Sequence, residues 1–138
     1  MTSSLQPTHT SSVGHLNSVA SFDFNQRTRV VFGCGTFGEL GKLARELGGQ
    51  RVLLVTDAGI RKTGYCAKAE TILRAAGLDV AVFDEVQENP TSEDVDRCAA
   101  FAKSNQIGLI VGLGGGSCID CAKGANFVLT NGGTMHDY

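Results

Sequence analysis

Three glycines, a serine, an aspartate and a lysine stand in the order Gly114-Gly115-Gly116-Ser117-x-x-Asp120-x-x-Lys123. The chemistry open to such a run is anion binding. Glycines let the backbone turn tightly and come close to a ligand. A helix opening just after them points free N–H groups and a partial positive charge at the same spot. A second cluster, Gly33-x-Gly35-x-x-Gly38, competes for the same role, with Asp57 near the distance at which an acidic partner is expected. Ser117-x-x-Asp120 also has the form of a helix capping box. Cys118-x-x-Cys121 falls on the first turns of the same helix, where a thiol can be activated. No second ligand pair for a zinc site is evident among Cys34, Cys66 and Cys98, so small buried residues are expected there. His136 stands beside Asp137 with no role that its neighbours define.

The elements that position these residues alternate. Ile107 to Val111 is an apolar run that suits a parallel strand covered on both faces. A helix from Ser117 to about Leu129 follows it. Upstream, Arg51 to Thr56 and Asp79 to Asp84 read as further strands. Helices are expected around Leu40, Leu43, Ala44 and Leu47, over Lys62 to Ala76 with Ala67, Ile72, Leu73 and Ala76 as its apolar stripe, and around Val95, Cys98, Ala99 and Ala102. Thr91 or Ser92 can cap the last of these, with Glu93 and Asp94 in its first turn. Phe22 to Phe24, a turn at 25–27 and Thr28 to Phe32 read as a hairpin. Residues 1–21 carry no Asp, Glu, Lys or Arg and read as a disordered tail, leaving 22–138 as the domain. Strands alternating with single helices predict an α/β fold with a doubly wound, mostly parallel sheet and an N-terminal β-hairpin. In such a sheet ligands sit at the carboxyl ends of the strands. Asp57, Asn89 and the glycine run all fall there, from distant points in the sequence.

Composition narrows the function classes. The 138 residues carry a formal charge of −2, which gives no electrostatic case for nucleic acid. No apolar run reaches the length of a membrane span. Five scattered cysteines argue against a disulfide framework and for a reducing, cytoplasmic setting.

FGCGTFGEL at Phe32 to Leu40, RVLLVTDAGI at Arg51 to Ile60, ENPT at Glu88 to Thr91, GLGGGSCIDCAK at Gly112 to Lys123 and the closing NGGTMHDY occur in this order. Together they resemble the N-terminal, Rossmann-like domain of the iron-containing (group III) alcohol dehydrogenases. The wider superfamily, with glycerol dehydrogenases, maleylacetate reductases and dehydroquinate synthases, shares much of the pattern. The resemblance implies that the later glycine run, not the earlier one, binds a pyrophosphate through Gly114, Gly115, Gly116 and Ser117. It implies that Asp57 meets the adenosine ribose, that Asn89 approaches the adenosine side, and that Asp120 lies toward the nicotinamide. A carboxylate at Asp57 would repel a 2′-phosphate, so NAD is expected over NADP. The family's second, helical domain supplies the ligands of a divalent metal (iron, or zinc in some members), and none of that domain is present. The expectation is an NAD-linked dehydrogenase of a small alcohol or carbonyl substrate, truncated to its dinucleotide-binding part. It is expected to self-associate through an exposed sheet edge, with neither nucleic acid nor membrane as partner. The alternative from a different class is a stand-alone nucleotide-binding module without catalysis.

Overall fold

Val52, Leu53, Leu54 and Val55 are four consecutive apolar side chains with no solvent exposure. Such a run can be buried only in a strand that has layers on both faces. In the computed structural model, which describes residues 28–138, Arg51–Val55 is strand β1 at the centre of a three-stranded sheet. Strand β2, Asp79–Phe83, lies on one side and β3, Leu109–Gly112, on the other. Both pairings are parallel, with Val52 opposite Val80 and Leu109, and Val55 opposite Phe83 and Gly112.

The side-chain period of two divides the core into two layers. Leu53 and Val55 point to one face with Phe83, where they meet helices α4 (Ser92–Ser104) and α5 (Gly116–Asn131). Val52 and Leu54 point to the other, where they meet residues of α1 (Leu40–Glu46) and α3 (Tyr65–Ala75). This is the doubly wound arrangement expected. Each of these buried aliphatic side chains is worth roughly 1.5–3 kcal/mol relative to exposure. Glycine permits the tightest helix contacts. A Cβ on Gly41 would lie 2.8 Å from Ala76 Cβ, and one on Gly124 would lie 2.9 Å from Val95 Cγ1.

Several expectations are corrected. The helix expected over Lys62 to Ala76 is two helices, the short α2 (Ala58–Lys62) and α3, because Gly64 takes a left-handed φ of 84° between them. The buried stripe of α3 is Cys66, Ala69 and Leu73, and Ala67 is exposed. Helix α1 ends at Glu46, so Leu47 lies outside it and is 74% exposed. The apolar run expected to be covered on both faces forms β3, at the sheet edge, and its side chains are only half-buried. The fully enclosed strand is β1. Thr28 to Phe32, the second arm of the expected hairpin, holds no strand, and Val30 and Phe32 are largely exposed. The hairpin's first arm and the tail at 1–21 lie outside the described residues. Phe32–Tyr138 is one compact unit, and Thr28 to Val31 belong to another. No described helix is long and apolar enough to cross a membrane.

Candidate nucleotide-binding site

Thr56 follows directly on β1 and is wholly buried although it is polar. Its N–H donates to Phe83 O at 2.9 Å, its Oγ1 donates to Leu113 O at 2.8 Å, and its carbonyl accepts from Val86 N at 3.4 Å. Leu113 N in turn donates to Val55 O at 2.8 Å. One threonine therefore fastens the carboxyl ends of all three strands together. It holds Leu113, the residue from which the glycine run departs.

Gly114 then takes φ 147°, a conformation that side chains rarely adopt. A Cβ there would fall 2.6 Å from Cys118 Sγ and 3.3 Å from Ile60 Cγ1. Gly115 is the N-cap of α5 with extended backbone, φ −80° and ψ −166°. No side-chain cap bonds this helix end, so the expected Ser117–Asp120 capping box does not form. The reason is register: the helix begins at Gly116, which puts Ser117 inside the first turn instead of at the cap. Ile119 N makes the bond back to Gly115 O at 3.2 Å. The amides of Gly116, Ser117 and Cys118 therefore precede any acceptor in the helix's own ladder. Gly115 and Gly116 are exposed, and a Cβ on either would meet nothing within 4 Å. The result is an open surface of backbone amides at the positive end of a 16-residue helix.

The other expected residues converge on this end. Asn89 sits in the loop after β2 in a left-handed conformation, φ 55°, and its N–H donates to Ser117 Oγ at 3.3 Å. Asp57 follows β1, and its Oδ1 accepts from Ile60 N at 2.8 Å as the N-cap of α2. Its Oδ2 accepts from the Cys118 thiol at 3.1 Å. The Ile60 amide first, and the Cys118 thiol second, hold the Asp57 carboxyl below the usual carboxylate range. Asp57 is thus ionised at neutral pH and partly exposed. Asp120 is exposed four residues beyond Gly116, on the same side of α5 one turn further along. Lys123 is exposed as well.

The competing glycine cluster has different surroundings. The described residues before Gly33, 28–32, hold no strand, and Gly35, with φ 79°, starts a 3₁₀ turn over Thr36–Glu39. A dinucleotide fingerprint needs a strand before the turn, so this one serves chain reversal. A groove of about 410 Å³ near Arg51, Arg74 and Asp79 lies at the starts of β1 and β2, the opposite end from that at which parallel sheets take ligands.

Cys98 and Cys121 are buried where α4 meets α5, and Cys121 Sγ lies 4.0 Å from Asp94 O. Its hydrogen bond with Cys121, then burial, push the Cys98 thiol up. Both are buried core residues, as expected. Cys118 is buried too, but its bond to Asp57 was not foreseen. In the sequence Thr56 reads only as the end of an apolar strand. The available signal was its polarity at the last position of an otherwise apolar run. His136 pairs with Ser92 Oγ at 3.2 Å on a turn docked against α4 by Met135 N and Asp96 Oδ1. No group of three or more His, Cys, Asp or Glu among the described residues is placed to hold a metal ion.

Comparison with known proteins bears on this geometry. The sequence model of the iron-containing alcohol dehydrogenases matches residues 27–138. Alcohol dehydrogenase 4 of Schizosaccharomyces pombe is 38% identical over 108 residues, 78% of this chain and 26% of that protein. The NAD-dependent methanol dehydrogenase of Bacillus methanolicus is 36% identical over 108 residues, again 78% of this chain and 28% of the relative. The crystal structure of sulfoacetaldehyde reductase from Bifidobacterium kashiwanohense in complex with NAD+ superposes with a TM-score of 0.78 at 26% identity, covering 87% of this chain and 31% of that one. The chain thus spans roughly a quarter to a third of the length of the relatives it matches. With the matched segment running through every element that builds the amide surface, the chain belongs to the iron-containing alcohol dehydrogenase family.

Proposed function

We propose that this chain is the dinucleotide-binding part of an NAD-linked oxidoreductase that interconverts a small alcohol and its aldehyde or ketone. The observation that carries the reading is the open amide surface of Gly115, Gly116 and Ser117 with Asp57 and Asn89 gathered beside it. The amides and the Ser117 hydroxyl would receive the diphosphate. Ser117 Oγ accepts from Asn89, which leaves its own proton to donate to an anion. Asp57 accepts from the Ile60 amide on Oδ1 and from the Cys118 thiol on Oδ2, with the Gly59 amide a weaker third donor, and a carboxylate has about four acceptor sites. The capacity that remains can take a ribose hydroxyl. A 2′-phosphate about 4 Å from this carboxylate would be repelled by roughly 2 kcal/mol even at the dielectric of water, which favours NAD. When bound, NAD supplies the hydride acceptor. Two relatives accord with this: one is an NAD-dependent methanol dehydrogenase and another was crystallised with NAD+. The residues described here do not form a metal site, so they provide no step through the metal that the family name implies.

Calorimetric titration of the 138-residue chain with NAD and with NADP tests the proposal. NAD is expected to bind the more tightly, and Asp57→Ala to erase most of the difference. Tighter binding of NADP, or no binding of either, would overturn it.

A further inference from the structure

Asp57 is held by two bonds of different origin. The Ile60 amide on Oδ1 is local, three residues away. The Cys118 thiol on Oδ2 comes from a residue 61 positions later in the chain. Alone, the first would leave the carboxyl plane free to swing about Oδ1. The second fixes it, and it does so from the residue adjoining Ser117, so the carboxylate is tied to the same helix end that presents the amides.

The thiol reaches Asp57 because of Gly114. Any Cβ at that position would fall on the sulfur. Cys118 has no solvent exposure. Burial first, and the Asp57 carboxylate second, push its thiol up to about 12, so at neutral pH it carries the proton it donates. Cys121 on the same helix is equally buried but bonds toward Asp94 and not toward Asp57. The two thiols of Cys118-x-x-Cys121 therefore do different things, and only one is turned to the site.

The geometry points to Cys118 as a specificity-determining positioning residue, whose thiol fixes the Asp57 carboxylate in the orientation that accepts the ribose of NAD and turns away NADP. This rests on the ribose-binding role proposed above for Asp57. It adds that the discrimination depends on a buried thiol outside the ligand's reach.

The test compares the ratio of NADP to NAD dissociation constants across variants of the 138-residue chain, read by calorimetry. Cys118→Ala, and Cys118→Val as a variant that keeps volume but has no donor, are expected to lower the ratio about five- to tenfold, the loss of one modest hydrogen bond. Cys118→Ser, which restores a donor, and Cys121→Ala, which removes an equally buried thiol, are expected to stay within about twofold of wild type. A second readout needs no cofactor: the Asp57 carboxyl carbon, followed by NMR, is expected to titrate at higher pH in Cys118→Ala and unchanged in Cys121→Ala. If Asp57→Ala collapses the ratio while Cys118→Ala and Cys118→Val preserve it, the inference is overturned and the ribose assignment survives. If Asp57→Ala itself leaves the ratio intact, the ribose assignment fails and the inference falls with it.

Discussion

Gly116→Ala should raise stability and weaken nucleotide binding in the same molecule. Gly116 is the first residue of α5, it is not among the left-handed glycines, and a Cβ built on it meets nothing within 4 Å. Alanine therefore fits the folded chain without strain. It also removes backbone freedom from the unfolded chain, a gain of about 0.4–1 kcal/mol. For a domain of this size that raises the melting temperature by about 2–6 °C. The new methyl group, however, occupies the open space over the amides of Gly116 and Ser117. A hydrogen bond from an amide to a charged phosphate oxygen is worth about 1.5–3 kcal/mol. Blocking one such bond should weaken NAD about tenfold to 150-fold. Differential scanning calorimetry gives the first quantity and isothermal titration the second. Gly38→Ala is the matched control. It too sits in open space without a left-handed φ, but in the other glycine cluster, which no strand precedes among the described residues, so it should leave NAD affinity unchanged. Should Gly116→Ala melt higher and bind NAD as tightly as wild type, the diphosphate does not rest on these amides. A loss of affinity in Gly38→Ala instead would move the site to the other cluster.

Gly114→Ala combines an unfavourable φ with a methyl group 2.6 Å from Cys118 Sγ, and urea denaturation should show a loss of roughly 2–5 kcal/mol. Thr56→Val keeps the shape but removes the donor to the partly buried Leu113 carbonyl, at a cost of about 1 kcal/mol, and Thr56→Ser should recover most of it. Stability should also fall toward both ends of the pH scale. Asp57, Asp94 and Asp137 have folded pKa values below the ordinary 3.8, so their contribution is complete above that value and drains away as pH falls through the lower folded values. The Cys118 thiol lies at about 12 against an ordinary 9.0, so its contribution is complete below 9.0 and is lost as pH rises toward 12. Equilibrium unfolding between pH 8 and pH 11 (about three units) should show a shallower alkaline decline in Cys118→Ser than in wild type.

What the sequence made legible follows from which forces are local. Helix α4 was readable to its cap because Thr91 and Asp94 satisfy each other's backbone partners within three residues, Asp94 Oδ2 accepting from Thr91 N at 2.8 Å. The strands were readable because a period of two, or its absence in a doubly covered strand, is written in adjacent residues. The split at Gly64 was less legible, since a glycine within a helical pattern can be tolerated or can reverse the chain, and only packing of α3 on β1 decides which. That β1 takes the centre and β3 the edge was not legible at all. Both segments are apolar runs of similar length, and their places at the centre and the edge depend on pairing across more than fifty residues.

The site divides along the same line, and the division shows how such a site is held. Gly114, Gly115, Gly116 and Ser117 announce themselves because a tight turn into a helix needs those residue types in that order. The groups that aim them do not. Thr56 reaches Leu113 across 57 positions and Cys118 reaches Asp57 across 61. In each case a small side chain, unremarked in its own neighbourhood, acquires its meaning only when two strand ends are brought side by side. A turn can be specified locally, but its orientation toward a ligand must be fixed from a neighbouring element. The positioning residues of a glycine-rich anion site are therefore best sought among buried hydroxyls and thiols at the ends of the adjacent strands and in the first turn of the helix that follows the glycines.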